Sequence, residues 1–346
     1  MIKTAVVILS WKGADILPLF LPSVVRSAAG EDCCVYVADN GSGDGTLELL
    51  ERDFPSVRRI ALDKNYGFPQ GYNLALAQVE AQYYVLLNSD VEVTPGWLQP
   101  LVAYMDAHPR VAACQPKLLS YKHKNLFEYA GAAGGYIDGY GYPFCRGRIF
   151  DTVEEDRGQY DEPARLLWAT GAALFIRSRD YHEAGGLDSR FFAHMEEIDL
   201  CWRLRARDRE IVCVPSSVVY HVGGATLSKG NPQKTFLNFR NNLLMLYKNL
   251  PPDTLRRVMR VRALLDYVAA LKFLVTGHIG DFKAVMRARR EYKKMRPSFE
   301  EARRENLEKA VAASIPQIFS FSLLWQYYVR GKKKFSQISQ GDSHKK

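Results

Sequence analysis

Short apolar runs alternate with amphipathic stretches through the first half of the chain. Ala5-Val6-Val7-Ile8-Leu9 is continuous and partly β-branched, which suits a strand covered on both faces. Ser10-Trp11-Lys12-Gly13 follows as a loop, and the spacing predicts a helix from about Ile16 to Ser27. Cys33 to Ala38 reads as a second strand, Glu48 to Arg52 opens the next helix, and Val57 to Leu62 is a third strand. The strongest run is Tyr83-Tyr84-Val85-Leu86-Leu87, which passes without a break into Asn88-Ser89-Asp90-Val91-Glu92. It predicts a buried strand whose C-terminal end delivers carboxylates, the end where open α/β sheets bind ligands. Strand and helix alternating at this spacing imply βαβ units and a parallel sheet.

Further along, a helix is expected from Pro95-Gly96-Trp97 to His108-Pro109, then a strand at Val111 to Cys114. From Tyr121 to Gly158 the pattern is lost in a Gly- and Tyr-rich stretch, of the kind that is usually functional or mobile. Leu166 to Ile176 predicts a buried strand pair or a bend around Gly171, and Glu196 to Leu204 a helix with acids crowding its first turn. Ile211 to Pro215 is read as the last strand and Val218 to Gly224 as the loop that closes the domain. Helical spacing continues from Phe236 to Leu250, Leu255 to Gly277 and Asp281 to Met295. Ala310 to Val329 is uncharged but interrupted by Pro316, Ser320, Ser322 and Gln326, and Lys332-Lys333-Lys334 follows. The expected organisation is an α/β domain over 1–230 and a basic helical region over 231–346.

Composition sharpens this picture. A chain of 346 residues, 47% hydrophobic, buries one substantial core with material left for an appendage. Its net charge of +9 is local: from Pro251 onward there are 21 Lys and Arg against 9 Asp and Glu, so that region carries +12 and the remainder −3. The six cysteines form no CxxC pair, which points to reduced thiols in a cytosolic protein. The first apolar run is too short for a signal peptide, and no run approaches the roughly 18 apolar residues of a spanning helix. Membrane contact is therefore expected to be peripheral, with each basic residue near an anionic surface contributing about 1 kcal/mol. A dimer helix pair or a nucleic-acid patch would share the charge, but no nucleic-acid motif accompanies it.

The loops carry the candidate chemistry. The turn after the first strand lacks the glycines of GxGxxG, so no dinucleotide fingerprint is present. Asp39-Asn40-Gly41-Ser42-Gly43-Asp44-Gly45-Thr46 offers tight backbone and hydrogen-bonding groups for a nucleobase or ribose, or equally caps the next helix. In Lys64 to Asn73 two glycines bracket Phe68-Pro69, and Asn73 stands where a helix is expected to start, with free amides suited to a diphosphate. Asp90, with polar oxygens close by in sequence, suits a hard divalent cation over a phosphate.

Taken in order, the strand ending in Ser10-Trp11, the Asp39 to Thr46 turn, Asn65-x-Gly67-Phe68, Asn88-Ser89-Asp90, Gly171-Ala172, Glu196-Glu197-Ile198-Asp199-Leu200 and His221 resemble family-2 glycosyltransferases, in the style of bacterial rhamnosyltransferase-like enzymes that build surface polysaccharides. The resemblance covers roughly Thr4 to Leu250. It implies an α/β GT-A fold, Rossmann-like, with a mostly parallel sheet, helices on both faces and a C-terminal amphipathic helical region. It further implies inverting, metal-dependent transfer of a sugar, rhamnose or another hexose, from a dTDP-, UDP- or GDP-linked donor to a lipid-linked or polysaccharide acceptor. The place would be the cytoplasmic membrane face, with no nucleic acid involved. Carried over by residue, Ser10, Asp39, Asn65, Gly67, Asn73, Asn88 and Asp90 would bind the donor. Asp90, with Glu92 as helper and His221, would hold Mg²⁺ or Mn²⁺. Trp168, Gly171 and Arg240 would meet acceptor or phosphate. The family usually has Glu-Asp-x-Asp where this chain has Glu196-Glu197-Ile198-Asp199, so Glu197 is the expected base and Asp199 its substitute. Rival readings are a catalytically silent sugar- or membrane-binding protein on the same fold, and a nucleotidyltransferase, whose Gly-rich basic loop is missing after the first strand.

Overall fold

A computed structural model describes residues 2–30, 32–223, 230–312 and 314–339. Gly224 and the last basic residues, 340–346, lie outside the described residues. The elements run β1 (Ile2–Ser10), α1 (Leu17–Ala28), β2 (Cys33–Asn40), α2 (Thr46–Asp53), β3 (Arg58–Leu62), α3 (Gly67–Leu76), β4 (Ala81–Leu87), β5 (Val91–Val93), α4 (Leu98–Ala107) and β6 (Val111–Ser120). Four short strands follow, β7 (Gly135–Ile137), β8 (Pro143–Cys145), β9 (Arg148–Ile149) and β10 (Thr152–Val153). Then come β11 (Ala164–Leu166), β12 (Ala173–Arg177), α5 (Ser178–Glu183), α6 (Glu196–Ala206) and β13 (Glu210–His221).

The main sheet is ordered β11-β13-β6-β12-β4-β1-β2-β3. β3, β2, β1 and β4 are mutually parallel, with Val6 opposite both Val35 and Val85. β12 enters antiparallel between β4 and β6, β13 runs parallel to β6, and β5 adds to β13. Period-2 alternation explains the continuous apolar runs: Ala5 and Val7 face one core with Tyr72 of α3 and Leu200 of α6, while Val6 and Ile8 face the other with Leu21 of α1 and Leu101 of α4. This is the GT-A-like layering, and it puts the C-terminal ends of β1, β2 and β4 side by side.

Three expectations need correction. α3 begins at Gly67, not near Asn73, because Pro69 sits in the first turn, where its missing N–H costs nothing. The stretch Tyr121 to Gly158 is not patternless: it contains the antiparallel sheet β7 to β10, built from strands of two or three residues. β13 runs on to His221, through the segment expected as a loop, after a register shift between Val214 and Val218 that spans Pro215.

Beyond β13, α7 (Pro232–Asn249), α8 (Pro252–Val275), α9 (Ile279–Met295) and α10 (Glu300–Glu308) form the helical region. Among the described residues no helix is long and apolar enough to cross a membrane. The uncharged stretch after Ala310 is largely non-helical. It returns to the small sheet, where Phe319, Phe321 and Phe335 of α11 (Phe335–Ser339) pack on Tyr136 and Phe144. The main core is continuous from β1 to this segment. None of the six cysteines forms a disulfide, and Cys114, Cys145, Cys201 and Cys213 are buried.

Candidate active site

At the ends of β1 and β2, Ser10 stands in register with Asp39. Asp39 Oδ2 accepts the Ser42 amide at 3.2 Å, while Asp39 Oδ1 and Ser10 Oγ are buried with no hydrogen-bond partner among the described residues. Unpartnered buried oxygens are costly unless a ligand meets them. Asp44 and Thr46 are not the N-cap of α2, which is Gly45 with no side-chain hydrogen bond; they fasten the loop after β1, accepting the Ala14 amide at 3.3 Å and the Gly13 amide at 3.2 Å. Asn40 and Asn65 shape the next loop, Asn65 Oδ1 taking the Gly67 amide at 2.8 Å and Asn40 Oδ1 the Tyr66 amide at 3.0 Å. Gly67 has φ +73°, and a Cβ there would lie 2.6 Å from the Phe192 ring, so the close approach of Phe192 requires glycine.

β4 leads directly into Asn88 and Asp90. Asp90 is buried and its Oδ1 lies 3.0 Å from His221 Nε2, which also lies 3.3 Å from Asn88 Nδ2. On the far side of the imidazole, Nδ1 is 3.3 Å from Glu128 Oε1, close enough for an ion pair but off the line of a hydrogen bond. Glu128 is itself fixed, since its Oε2 accepts the amides of Ala130 and Gly131 at 2.6 and 3.0 Å. Burial alone would lower the His221 pKa, but the flanking Asp90 and Glu128 carboxylates outweigh it and push it up to about 10. The pair thus already gathers a positive charge between two carboxylates. A divalent cation would have to displace the proton that His221 shares with Asp90; the two would then offer one imidazole nitrogen and one hard oxygen, a donor set that suits Mn²⁺, and no group of three or more His, Cys, Asp or Glu able to hold a metal occurs among the described residues. Other positions on an ion would have to come from a diphosphate or water.

The segment before α6 is strained. Phe192, His194 and Met195 have φ of 67°, 70° and 76°, unusual for residues with a side chain. Asn241 of α7 holds them: its Nδ2 is shared by the carbonyls of Phe191, Ala193 and His194 at 3.0, 2.7 and 2.8 Å. Phe192 O in turn accepts the Phe68 amide at 2.9 Å, coupling this segment to α3. Glu197 therefore emerges from a fixed base. Burial raises its carboxyl to about 7, against the pull of the amides at the start of α6. Glu196 is buried beside it, its Oε2 without a partner, and burial together with the Glu197 charge holds its pKa well above the ordinary value. A Cβ on Gly171 would lie 3.7 Å from Glu197 Cβ and 3.3 Å from Phe68, and the next residue, Ala172, accepts the Asn88 amide at 3.0 Å. The end of β4 and the start of α6 are thus neighbours.

The remaining expected residues have structural partners. Asn73 lies within α3 rather than at its start and bonds Leu187 and Tyr181, so it offers nothing to a diphosphate. Asp199 is fully buried against Arg203 and Lys248 at 2.9 and 2.8 Å, with Asn249 on its other oxygen, a placement that removes it as a substitute base. Trp168 is buried, its Nε1 donating to Tyr136 O at 3.1 Å, with Gly135 against its ring. Arg240 donates to Phe191 O at 3.0 Å and to Asn241, supporting the strained segment instead of a ligand. Glu92 is paired with Lys124 at 2.7 Å. Sequence reading passed over Glu128 and Asn241. Glu128 lies in the stretch where the apolar pattern is lost, and nothing local marks Asn241 on α7.

Comparison with known proteins finds relatives by sequence and by fold. The profile of Glycosyl transferase family 2 matches residues 5–152. N-acetylglucosaminyl-diphospho-decaprenol L-rhamnosyltransferase of Mycobacterium tuberculosis is 27% identical over 231 residues, 62% of this chain and 75% of that one. Rhamnosyltransferase WbbL of Escherichia coli is 26% identical over 163 residues, 45% of this chain and 61% of that one. Among solved structures, Staphylococcus aureus TarS 1-349 in complex with UDP-GlcNAc superposes with a TM-score of 0.56 at 14% identity, covering 89% of both chains. Mannosyltransferase PcManGT from Pyrobaculum calidifontis, in complex with GDP-Man and Mn²⁺, gives 0.52 at 12% identity, covering 89% of this chain and 85% of that one. At these identities the structural likeness is one of fold.

Proposed function

We propose, from the premise that this chain is a glycosyltransferase whose residues 5–152 form a family-2 domain, that it inverts the anomeric centre of a nucleoside-diphosphate sugar in transferring it to a lipid-linked glycan at a membrane surface. The observation that carries the reading is the adjacency of a carboxylate of pKa about 7, Glu197, to the Asn88–Asp90 end of β4. Glu197 takes the proton of the acceptor hydroxyl, the freed oxygen attacks the anomeric carbon, and the bond to the diphosphate breaks on the opposite face. A base with a pKa near the working pH combines a useful deprotonated fraction with sufficient basicity. Asp39 and Ser10 receive the nucleoside. Asp90 and His221 would hold a divalent cation, Mg²⁺ or Mn²⁺, whose charge would offset that of the leaving diphosphate. Rhamnose and a polyprenyl-diphosphate acceptor are supported by the names of the relatives. No nucleic acid is required.

Thermal unfolding with UDP, dTDP or GDP, each with and without Mn²⁺, tests this directly. A nucleotide at about a hundred times its dissociation constant adds roughly 2.7 kcal/mol. One nucleotide should raise the melting temperature in a Mn²⁺-dependent way that Asp90→Ala abolishes. A protein that none of them shifts would instead be a silent member of the fold.

A further inference from the structure

We propose that the cleft between α8 and α9 is a binding site for the phosphate headgroup of an anionic phospholipid. The inference rests on the membrane-surface reading above but names a site that catalysis does not use.

The cleft encloses about 430 Å³, and Lys283, Arg287, Arg289, Arg290 and Lys293 line it. None of its described lining residues is acidic. Tyr267, Phe282 and Met286 complete the lining, so five cations share the cleft with three largely apolar side chains. Arg289 is the built element of the site. It is only 8% exposed, Asp266 takes one end of its guanidinium, and its Nε is buried with no hydrogen-bond partner among the described residues. A buried guanidinium N–H without an acceptor is costly, and a phosphate oxygen is the acceptor whose geometry suits it. Arg287, also in the lining, is engaged with α7, its guanidinium 3.8 Å from the centroid of the Phe236 ring and Nη2 donating to Gln233 at 2.6 Å.

Beside the cleft, α8 turns apolar residues to solvent. Leu264, Val268, Leu271 and Val275 recur at helical spacing and are 56 to 74% exposed. Tyr267, which lines the cleft, is exposed on the same half of α8. Lys272 of α8 lies 5.9 Å from the ring of Tyr328, which is exposed together with Trp325 and Val329. Basic residues flanking an exposed aliphatic and aromatic strip match a lipid surface, with acyl chains against the strip and headgroup phosphate in the cleft. A soluble anion would need only the charges.

Cosedimentation with vesicles of phosphatidylcholine alone, and of phosphatidylcholine with phosphatidylglycerol, tests the site. The full chain should bind only the latter, and Arg290→Gln or Lys293→Gln, both exposed and not expected to affect folding, should each weaken binding about fivefold. Arg289→Gln should do the same, and Arg256→Gln, exposed at the other end of α8, should not. Equal losses at Arg256 and in the cleft would reduce the site to diffuse charge and overturn it. Displacement by millimolar inorganic phosphate would likewise overturn it in favour of a soluble anion site. Sugar transfer to a soluble acceptor separates the two readings. A wild type that transfers sugar yet binds no vesicle refutes the lipid site and leaves the transferase reading standing, whereas cleft-dependent vesicle binding without nucleotide binding does the reverse.

Discussion

Burial at the start of α6 holds the Glu197 carboxyl at about 7 in place of its ordinary 4.5. Its raised pKa means that the folded protein binds the proton more tightly than the unfolded chain, so Glu197 favours folding below pH 4.5 and that contribution is lost as pH rises through about 7. Activity runs the other way: the turnover rate should climb with pH along an acidic limb centred near 7. Glu197→Gln should cost about 10²- to 10⁴-fold in turnover while leaving the nucleotide-induced melting shift intact. A variant that keeps its rate would move the base elsewhere. Glu128 invites a second test, because it faces His221 Nδ1 and anchors two amides. Glu128→Ala should lower Mn²⁺ affinity, followed by the loss of the free Mn²⁺ EPR signal, by about 10- to 100-fold, as expected when a carboxylate stops orienting a metal-binding imidazole. Unchanged Mn²⁺ affinity would leave Glu128 a purely structural acceptor. Asp199 shows where residue reading fails. In sequence it stands two positions from Glu197 in an acidic cluster, but its partner Lys248 is 49 residues away, and only the folded chain reveals that ion pair.

The strained segment between Phe191 and α6 shows the same division at the level of elements. The sequence marks α6 by its acids and apolar spacing, and the helix forms there. Nothing local announces positive φ at Phe192, His194 and Met195, since this conformation is imposed from α7 by Asn241. Asn241→Ala would leave the Ala193 and His194 carbonyls short of this donor, Phe191 O keeping Arg240, and release the segment. We expect a stability loss of about 1–3 kcal/mol, measured by urea unfolding. Turnover should fall by up to about a hundredfold as Glu197 loses its position. A rate equal to wild type with the stability loss present would separate the segment from catalysis. α3 was half legible for a related reason: Gly67, Pro69 and Gly71 read as a turn, yet glycine is needed against Phe192 and proline is harmless in a first turn. The small sheet escaped because strands of two or three residues are too short to show alternation.

At the scale of the molecule, the concentration of positive charge after Pro251 suggested an appendage, but the last segment to be described packs into the core. Phe319, Phe321 and Phe335 lie on Tyr136 and Phe144 of the small sheet, and the Phe335 amide donates to Glu154 Oε1 at 3.0 Å. Asp138, which shapes the β7–β8 turn by accepting the Tyr140 and Tyr142 amides, also takes the Leu323 amide at 2.7 Å. Buried side chains of this size contribute about 1.5–3 kcal/mol each, against a total stability of about 5–15 kcal/mol for a typical domain. Truncation after Ala312 removes several of them together and exposes the face of the sheet that adjoins Glu128. The truncated chain should therefore melt far below the full-length protein or fail to stay soluble, and it should lose the Mn²⁺-dependent nucleotide shift even though every residue of the candidate active site remains. Circular dichroism melting of the two chains decides the point. Equal melting temperatures would make the C-terminal segment a dispensable attachment, whereas a large fall makes it the last layer of the fold that supports His221 and Glu128.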